Sequence, residues 1–224
     1  MNMACQWQIP LVLMALVFGA GASAADLTRT ADHDYDPPAP GSYALPVIKQ
    51  ATGGEVLDAK GRTVQLDNLV RDRVTVLSFI YSRCADPSAC PYATGVLSEL
   101  HEMSIGNRAL TAGLRLISLS FDPVGDTPAR MAAYAQVAEC SQPAVEWHFL
   151  TTESQAKLQP ILDAYGEAVQ RKENPYDPTG PLYHNLRVFL IDRSGRVRNI
   201  YSSGTLDVRL VLADVQTLLM EARY

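Results

Sequence analysis

Apolar residues from Tyr43 onward alternate between two periods, one of a strand and one of a helix. Val74–Tyr81 and Leu114–Phe121 are nearly continuous β-branched, aliphatic and aromatic runs, the pattern of strands covered on both faces of a parallel or mixed sheet. Between them a helix is predicted from Pro91 to about Leu110, with Val96, Leu97, Leu100 and Met103 on one face. A second helix opens at Thr127-Pro128, an N-cap followed by proline at the first helical position, and runs toward Ala138. A third strand follows at Val145–Leu150. Thr152 or Ser154 then caps a helix through Ala164, which Pro160 must kink or break. Arg187–Asp192 and Val197–Tyr201 flank the turn Arg193–Arg196 as a hairpin. The closing helix, from Leu206, repeats Val208, Val211, Leu212, Val215, Leu218 and Leu219 at helical spacing.

Ahead of this core, Tyr43–Ile48 and Thr63–Leu66, with the turn Asp58–Arg62, predict a short strand pair. The order βαβαβα followed by ββα predicts an α/β, thioredoxin-like fold over residues 43–224. Its central mixed sheet is flanked by helices and carries an N-terminal β-hairpin extension. Residues 174–181, dense in proline and glycine, are expected to form a loop that no helix or strand spans.

The first 42 residues belong to no such pattern. Ile9–Ala20 is a short apolar stretch ending in Gly21-Ala22-Ser23-Ala24, an Ala-x-Ala-type cleavage site, so residues 1–24 are read as a signal peptide. No Lys or Arg precedes the run, and extending it to Ala25 gives almost a membrane span; an uncleaved membrane tether is the alternative. Either way the domain is expected in the periplasm or another exported, oxidising compartment. Residues 25–42 are rich in Asp and Pro and are read as a disordered tether, with His33 as a solvated linker histidine.

What remains after cleavage is long enough for one domain with its own core and no disulfide scaffold. Of the four cysteines, cleavage removes Cys5 and leaves Cys84, Cys90 and Cys140, an odd number, so at least one thiol lacks an intramolecular partner. A net charge of -5 argues against nucleic acid as a partner.

The chemistry concentrates at Cys84 and Cys90, which bracket the passage from the first core strand to the first core helix. Cys90 stands before Pro91, so its sulfur is expected at the positive end of the helix dipole, with its thiolate stabilised. Asp86-Pro87 supplies a turn that folds the intervening loop back. Thiolates are soft ligands that select Cu(I), and a pair leaves room for a third donor. His184 is the candidate for that donor. It ends the Pro-rich loop just before strand Arg187–Asp192, a segment that in a thioredoxin-like sheet packs beside the cysteine turn. Asp122, Asp126 and Thr127 read as helix caps, His101 as a surface residue, and His148 as structural or solvated. Cys140 reads as a semi-buried thiol.

At these residues the chain resembles the SCO (SenC) family, copper-binding assembly factors for cytochrome c oxidase with a thioredoxin-like fold. The resemblance spans about residues 41–220. It rests on Val76–Cys84 leading to Cys90-Pro91, on Ser118–Pro123 followed by Asp126-Thr127-Pro128, on Trp147–Thr151, and on His184 before Phe189–Gly195. It implies one copper ion held by Cys84, Cys90 and His184, delivered to a copper-accepting subunit of a respiratory oxidase, with a thiol reductant keeping the cysteines competent. The chain departs from the family pattern twice. Five residues, Ala85–Ala89, separate the cysteines where three are usual, and Tyr183 replaces the acidic residue that usually precedes the histidine, leaving no adjacent carboxylate to orient the imidazole. Two other readings stand beside a metallochaperone. One is an enzyme, a thiol-disulfide oxidoreductase using Cys84 and Cys90 on partner disulfides. The other is a redox or copper sensor.

Overall fold

A computed structural model of the chain describes residues 35–221; the signal segment, His33 with most of the tether, and residues 222–224 lie outside the described residues. The elements are β1 (Lys49–Gln50), β2 (Glu55–Asp58), β3 (Thr63–Gln65), α1 (Leu66–Leu69), β4 (Val74–Ile80), α2 (Cys90–Met103) and α3 (Arg108–Gly113). They continue with β5 (Leu114–Ser120), α4 (Pro128–Tyr134), β6 (Glu146–Thr151), α5 (Gln155–Tyr165), β7 (Val169–Arg171) and β8 (Leu182–His184). Last come β9 (Arg187–Ile191), β10 (Arg196–Ser202) and α6 (Val208–Glu221).

Eight strands form one mixed sheet in the order β1-β10-β9-β4-β5-β6-β2-β3. The sheet is parallel across β4-β5-β6 and antiparallel at its other ladders. Every residue of β4 is buried, because helices cover both faces. On one face Leu77, Phe79, Ile117 and Leu119 pack under Met131 of α4 and Leu158, Ile161, Leu162 and Tyr165 of α5. The other face buries Val74, Val76, Leu114 and Leu116 under Val96, Leu97 and Leu100 of α2 and Val211, Val215 and Leu218 of α6. Phe79 meets Tyr165 and Phe189 edge-on, with ring centroids 5.3 and 5.9 Å apart, the arrangement ring quadrupoles favour.

Several local expectations are corrected. The N-terminal hairpin forms from β2 and β3, with Tyr43–Ile48 outside it: Pro46 has no N–H to offer a ladder, and Val47 and Ile48 stay 53% and 48% exposed. The helix expected to reach Leu110 stops at Met103. Gly106 adopts a left-handed φ of 73°, and the Asn107 side chain accepts from the N–H groups of Ala109 and Leu110 to start α3. Pro160 is accommodated inside α5, which Ser154 caps and Gly166 ends at φ 73°. Residues 174–181 are a loop, as expected, but it is the tip of a two-stranded ladder of β7 and β8 that the sequence did not reveal. Where described, the segment before Tyr43 lies on α6, with the Gly41 N–H donating to Thr217 Oγ1 at 2.9 Å.

Candidate metal centre

Between β4 and α2 the chain turns through residues 81–89. Asp86 Oδ1 accepts from the Ser88 N–H at 2.9 Å and the Ser88 hydroxyl at 2.7 Å, and the Ala89 N–H closes back on the Asp86 carbonyl at 3.1 Å. This tight turn takes up the extra length between the cysteines, and the two sulfurs meet despite it. Cys90 is 2% exposed, whereas Cys84 is half-buried at the mouth.

The expected order of acidities is reversed. The Cys84 thiol is drawn down to about 6, because the Cys90 thiol donates to its sulfur and, against the effect of burial, the backbone N–H groups of Cys90 and Asp86 also point at it. Cys90 is pushed up by the same bond, in which it is the donor, and by its burial. Ala89, at the N-cap of α2, has no side chain able to accept, and the N–H of Cys90, the first residue of that helix, adds to the effect of the Cys90 thiol on Cys84. The thiol of Cys90 is thus the main support of the Cys84 thiolate, while Cys90 itself is inside the core.

His184 arrives through the β7–β8 ladder, where it stands opposite Val169. Two residues before Val169, α5 ends in a Schellman motif: the Gly166 N–H reaches the Asp163 carbonyl at 3.1 Å and the Glu167 N–H reaches the Leu162 carbonyl at 2.8 Å. That cap turns Glu167 inward, and its Oε2 lies 2.7 Å from His184 Nε2, with the two side chains 1% and 3% exposed. The imidazole also lies against Phe121, ring centroids 4.5 Å apart. Glu167 therefore supplies the carboxylate that Tyr183 does not. A sequence signal for it existed, Gly166 ending a helix just before an alternating Val169-Gln170-Arg171, but nothing local paired it with a residue so far along the chain.

The Pro-rich loop is seated on the cysteine turn. The Tyr81 hydroxyl lies 3.2 and 3.3 Å from the carbonyl oxygens of Thr179 and Leu182, and the Ala85 N–H donates to Thr179 at 3.2 Å. Burial first, then the nearby Cys84, push the Tyr81 phenol up to about 12, which keeps its proton available. Cys84, Cys90 and His184, with Tyr81, Phe121 and Lys172, line one cavity of about 40 Å³. That is room for an ion or a water, far below the few hundred cubic ångströms of an organic substrate site. Among the described residues no three His, Cys, Asp or Glu side chains are gathered closely enough to form a ligand set. Two thiols and an imidazole are the donor chemistry that suits Cu(I).

Beneath the turn, Thr127 caps α4 as expected, but Asp126 does not act as a cap. Fully buried, it accepts from the Ser82 N–H at 2.9 Å, from the Ser82 hydroxyl, and from the Ser120 hydroxyl at 2.5 Å. Asp122 pairs with Arg83 at 2.7 Å. Both carboxylates thus fix the residues immediately before Cys84. His101 is buried rather than on the surface, its ring 5.8 Å from that of Trp147. His148 pairs with Glu146 on β6, and neither it nor Cys140 lines the cavity.

Comparison with known proteins agrees with this architecture. A SCO1 protein homolog of Bacillus subtilis (strain 168) is 26% identical over 142 residues, which is 63% of this chain and 68% of that protein. Bradyrhizobium japonicum ScoI, solved with copper bound, matches with a TM-score of 0.58 at 21% identity, over 73% of this chain and 97% of its own. BsSco, described as a member of the Sco family of cytochrome c oxidase assembly proteins with a disulfide switch, matches at 0.61 and 21% identity, over 79% and 98%. Those two structures establish the shared fold. The SCO1/SenC family model matches residues 51–220, and the chain belongs to the SCO1/SenC family.

Proposed function

We propose that this protein is an exported copper carrier that takes one copper ion at Cys84, Cys90 and His184 and passes it to the copper-accepting subunit of a respiratory oxidase. The observation that carries this reading is the convergence of two cysteines from the β4–α2 turn and a histidine from β8 on one ion-sized cavity. Family membership and the copper-bound ScoI support the cargo, and the description of BsSco supports an oxidase as the destination. Copper is cargo here. A half-exposed Cys84 offers a route for an incoming ligand to displace one donor at a time, while Cys90, held in the core, releases last. Export rests on the apolar segment Ile9–Ala20 and its cleavage site; among the described residues no helix is long and apolar enough to cross a membrane. Loading requires reduced cysteines, since a disulfide removes both thiolates.

The test is competition for Cu(I) against a chromophoric chelator, with reductant, for the wild type, Cys84→Ser/Cys90→Ser and His184→Ala. The expected result is one ion per wild-type chain, loss of binding in the double variant and weakened binding in the histidine variant. Wild-type affinity in the double variant would refute the site.

One observation favours a second reading, a thiol-disulfide oxidoreductase. A half-exposed thiol lowered to about 6 with a buried partner beside it is the arrangement of an attacking dithiol. Turnover of a model disulfide, unaffected by His184→Ala, would favour it over copper carriage.

A further inference from the structure

The buried contact between Glu167 and His184 decides more than the orientation of a ring. An imidazole has two nitrogens, and in its neutral form one carries a proton and the other a lone pair. Glu167 Oε2 lies 2.7 Å from Nε2 with both side chains almost wholly out of solvent, and as a carboxylate, an acceptor only, it pairs with a neutral ring through a protonated Nε2. The lone pair is then on Nδ1. The other Glu167 oxygen, Oε1, is buried with no hydrogen-bond partner; Arg187 stands 3.9 Å from it, and Lys49 also feels this carboxylate. A carboxylate so poorly compensated is costly in the protein interior, and a metal ion on the far side of the imidazole would supply the missing positive charge through the ring.

We infer that Glu167 is the positioning residue of the copper site and that it assigns Nδ1 of His184 as the nitrogen that binds the ion. The inference rests on the copper-carrier reading above. It also explains how this chain dispenses with an acidic neighbour at position 183: the Schellman cap of α5 and the register of the β7–β8 ladder bring a carboxylate from seventeen positions upstream to the same imidazole.

The first arm needs no metal and no variant. In the reduced, metal-free protein with 15N-labelled histidine, long-range proton–nitrogen correlation at about pH 8, where free imidazole is neutral, reads the tautomer directly. His184 is expected as a single Nε2–H form with an unprotonated Nδ1. In Glu167→Ala the tautomers should mix, and Cu(I) affinity should fall by roughly 10- to 100-fold, the usual cost of losing a partner behind a metal-binding histidine. Glu167→Gln, which keeps an acceptor oxygen, should restore the single tautomer and most of the affinity. A proton on Nδ1 of the wild type, or a doubly protonated ring, would overturn the assignment. So would a Glu167→Ala protein that keeps wild-type affinity while His184→Ala loses it. If His184→Ala itself binds copper as tightly as the wild type, the three-donor site fails and the Nδ1 assignment with it, whereas a wrong tautomer with copper affinity lost in His184→Ala overturns the assignment alone.

Discussion

Gly180 is the point at which the two halves of the site are pressed together, and replacing it with alanine measures how firmly. Its φ is +102°, a conformation that L side chains rarely adopt, and an added Cβ would collide with the Tyr81 hydroxyl and stand 2.9 Å from the Arg83 carbonyl. Backbone strain at such a φ and overpacking against a fixed neighbour each cost about 1–3 kcal/mol, so Gly180→Ala should destabilise the protein by about 2–6 kcal/mol. The two contributions separate in a double-mutant cycle with Tyr81→Phe. That change alone removes the contacts to Thr179 and Leu182 and should cost about 0.5–1.5 kcal/mol, because Thr179 keeps the Ala85 N–H. Without the hydroxyl, the nearest tyrosine atom to the new Cβ is the ring carbon at 3.1 Å, so the alanine penalty should fall by about 1–2 kcal/mol in the phenylalanine background. Equilibrium urea unfolding with reductant present, followed by circular dichroism, gives all four stabilities. Penalties equal in the two backgrounds to within about 0.5 kcal/mol would mean that the loop leading to His184 is not seated on the cysteine turn.

Two further outcomes are expected. Asp126→Ala leaves the Ser82 N–H and two hydroxyls without their acceptor inside the core and should lower stability by about 2–5 kcal/mol in the same assay; a loss under about 0.5 kcal/mol would show that the carboxylate does not hold the cysteine turn. In the reduced protein, the rate of alkylation of Cys84 by iodoacetamide, read by peptide mass spectrometry, should rise with pH to a midpoint at about 6 and not at the ordinary 9.0, and a midpoint near 9.0 would contradict the pairing of its sulfur with the Cys90 thiol. The linked stability has a definite sign. A thiol whose acidity is raised by folding stabilises the native state fully above its ordinary 9.0, and this contribution is lost as pH falls toward about 6. Cys90, shifted the other way, works against stability only in the alkaline range above that window.

Most of the architecture was legible along the chain because the period of a fully covered strand or an amphipathic helix is a local property. Val74–Ile80 and Leu114–Ser120 needed only their own composition to be recognised, and Thr127-Pro128 announced α4. Errors arose where a local signal had a competitor. Tyr43–Ile48 has the composition of a strand but contains Pro46, and the helix after Pro91 kept its apolar spacing beyond Gly106, where the backbone had already turned. His101 looked exposed beside Glu102 because its ring partner, Trp147, lies on a different element.

By itself the sequence determined the strand–helix order, the cysteine pair at the end of the first core strand and the histidine before the penultimate one, since each is a matter of residue type and position. Only the tertiary structure decided which sulfur is half-exposed and lowered and which is sealed in the core, for acidity depends on burial and on which thiol donates to the other. The partnership of Glu167 with His184 was likewise beyond the sequence, because it is produced by a helix cap and a ladder register acting together across the fold.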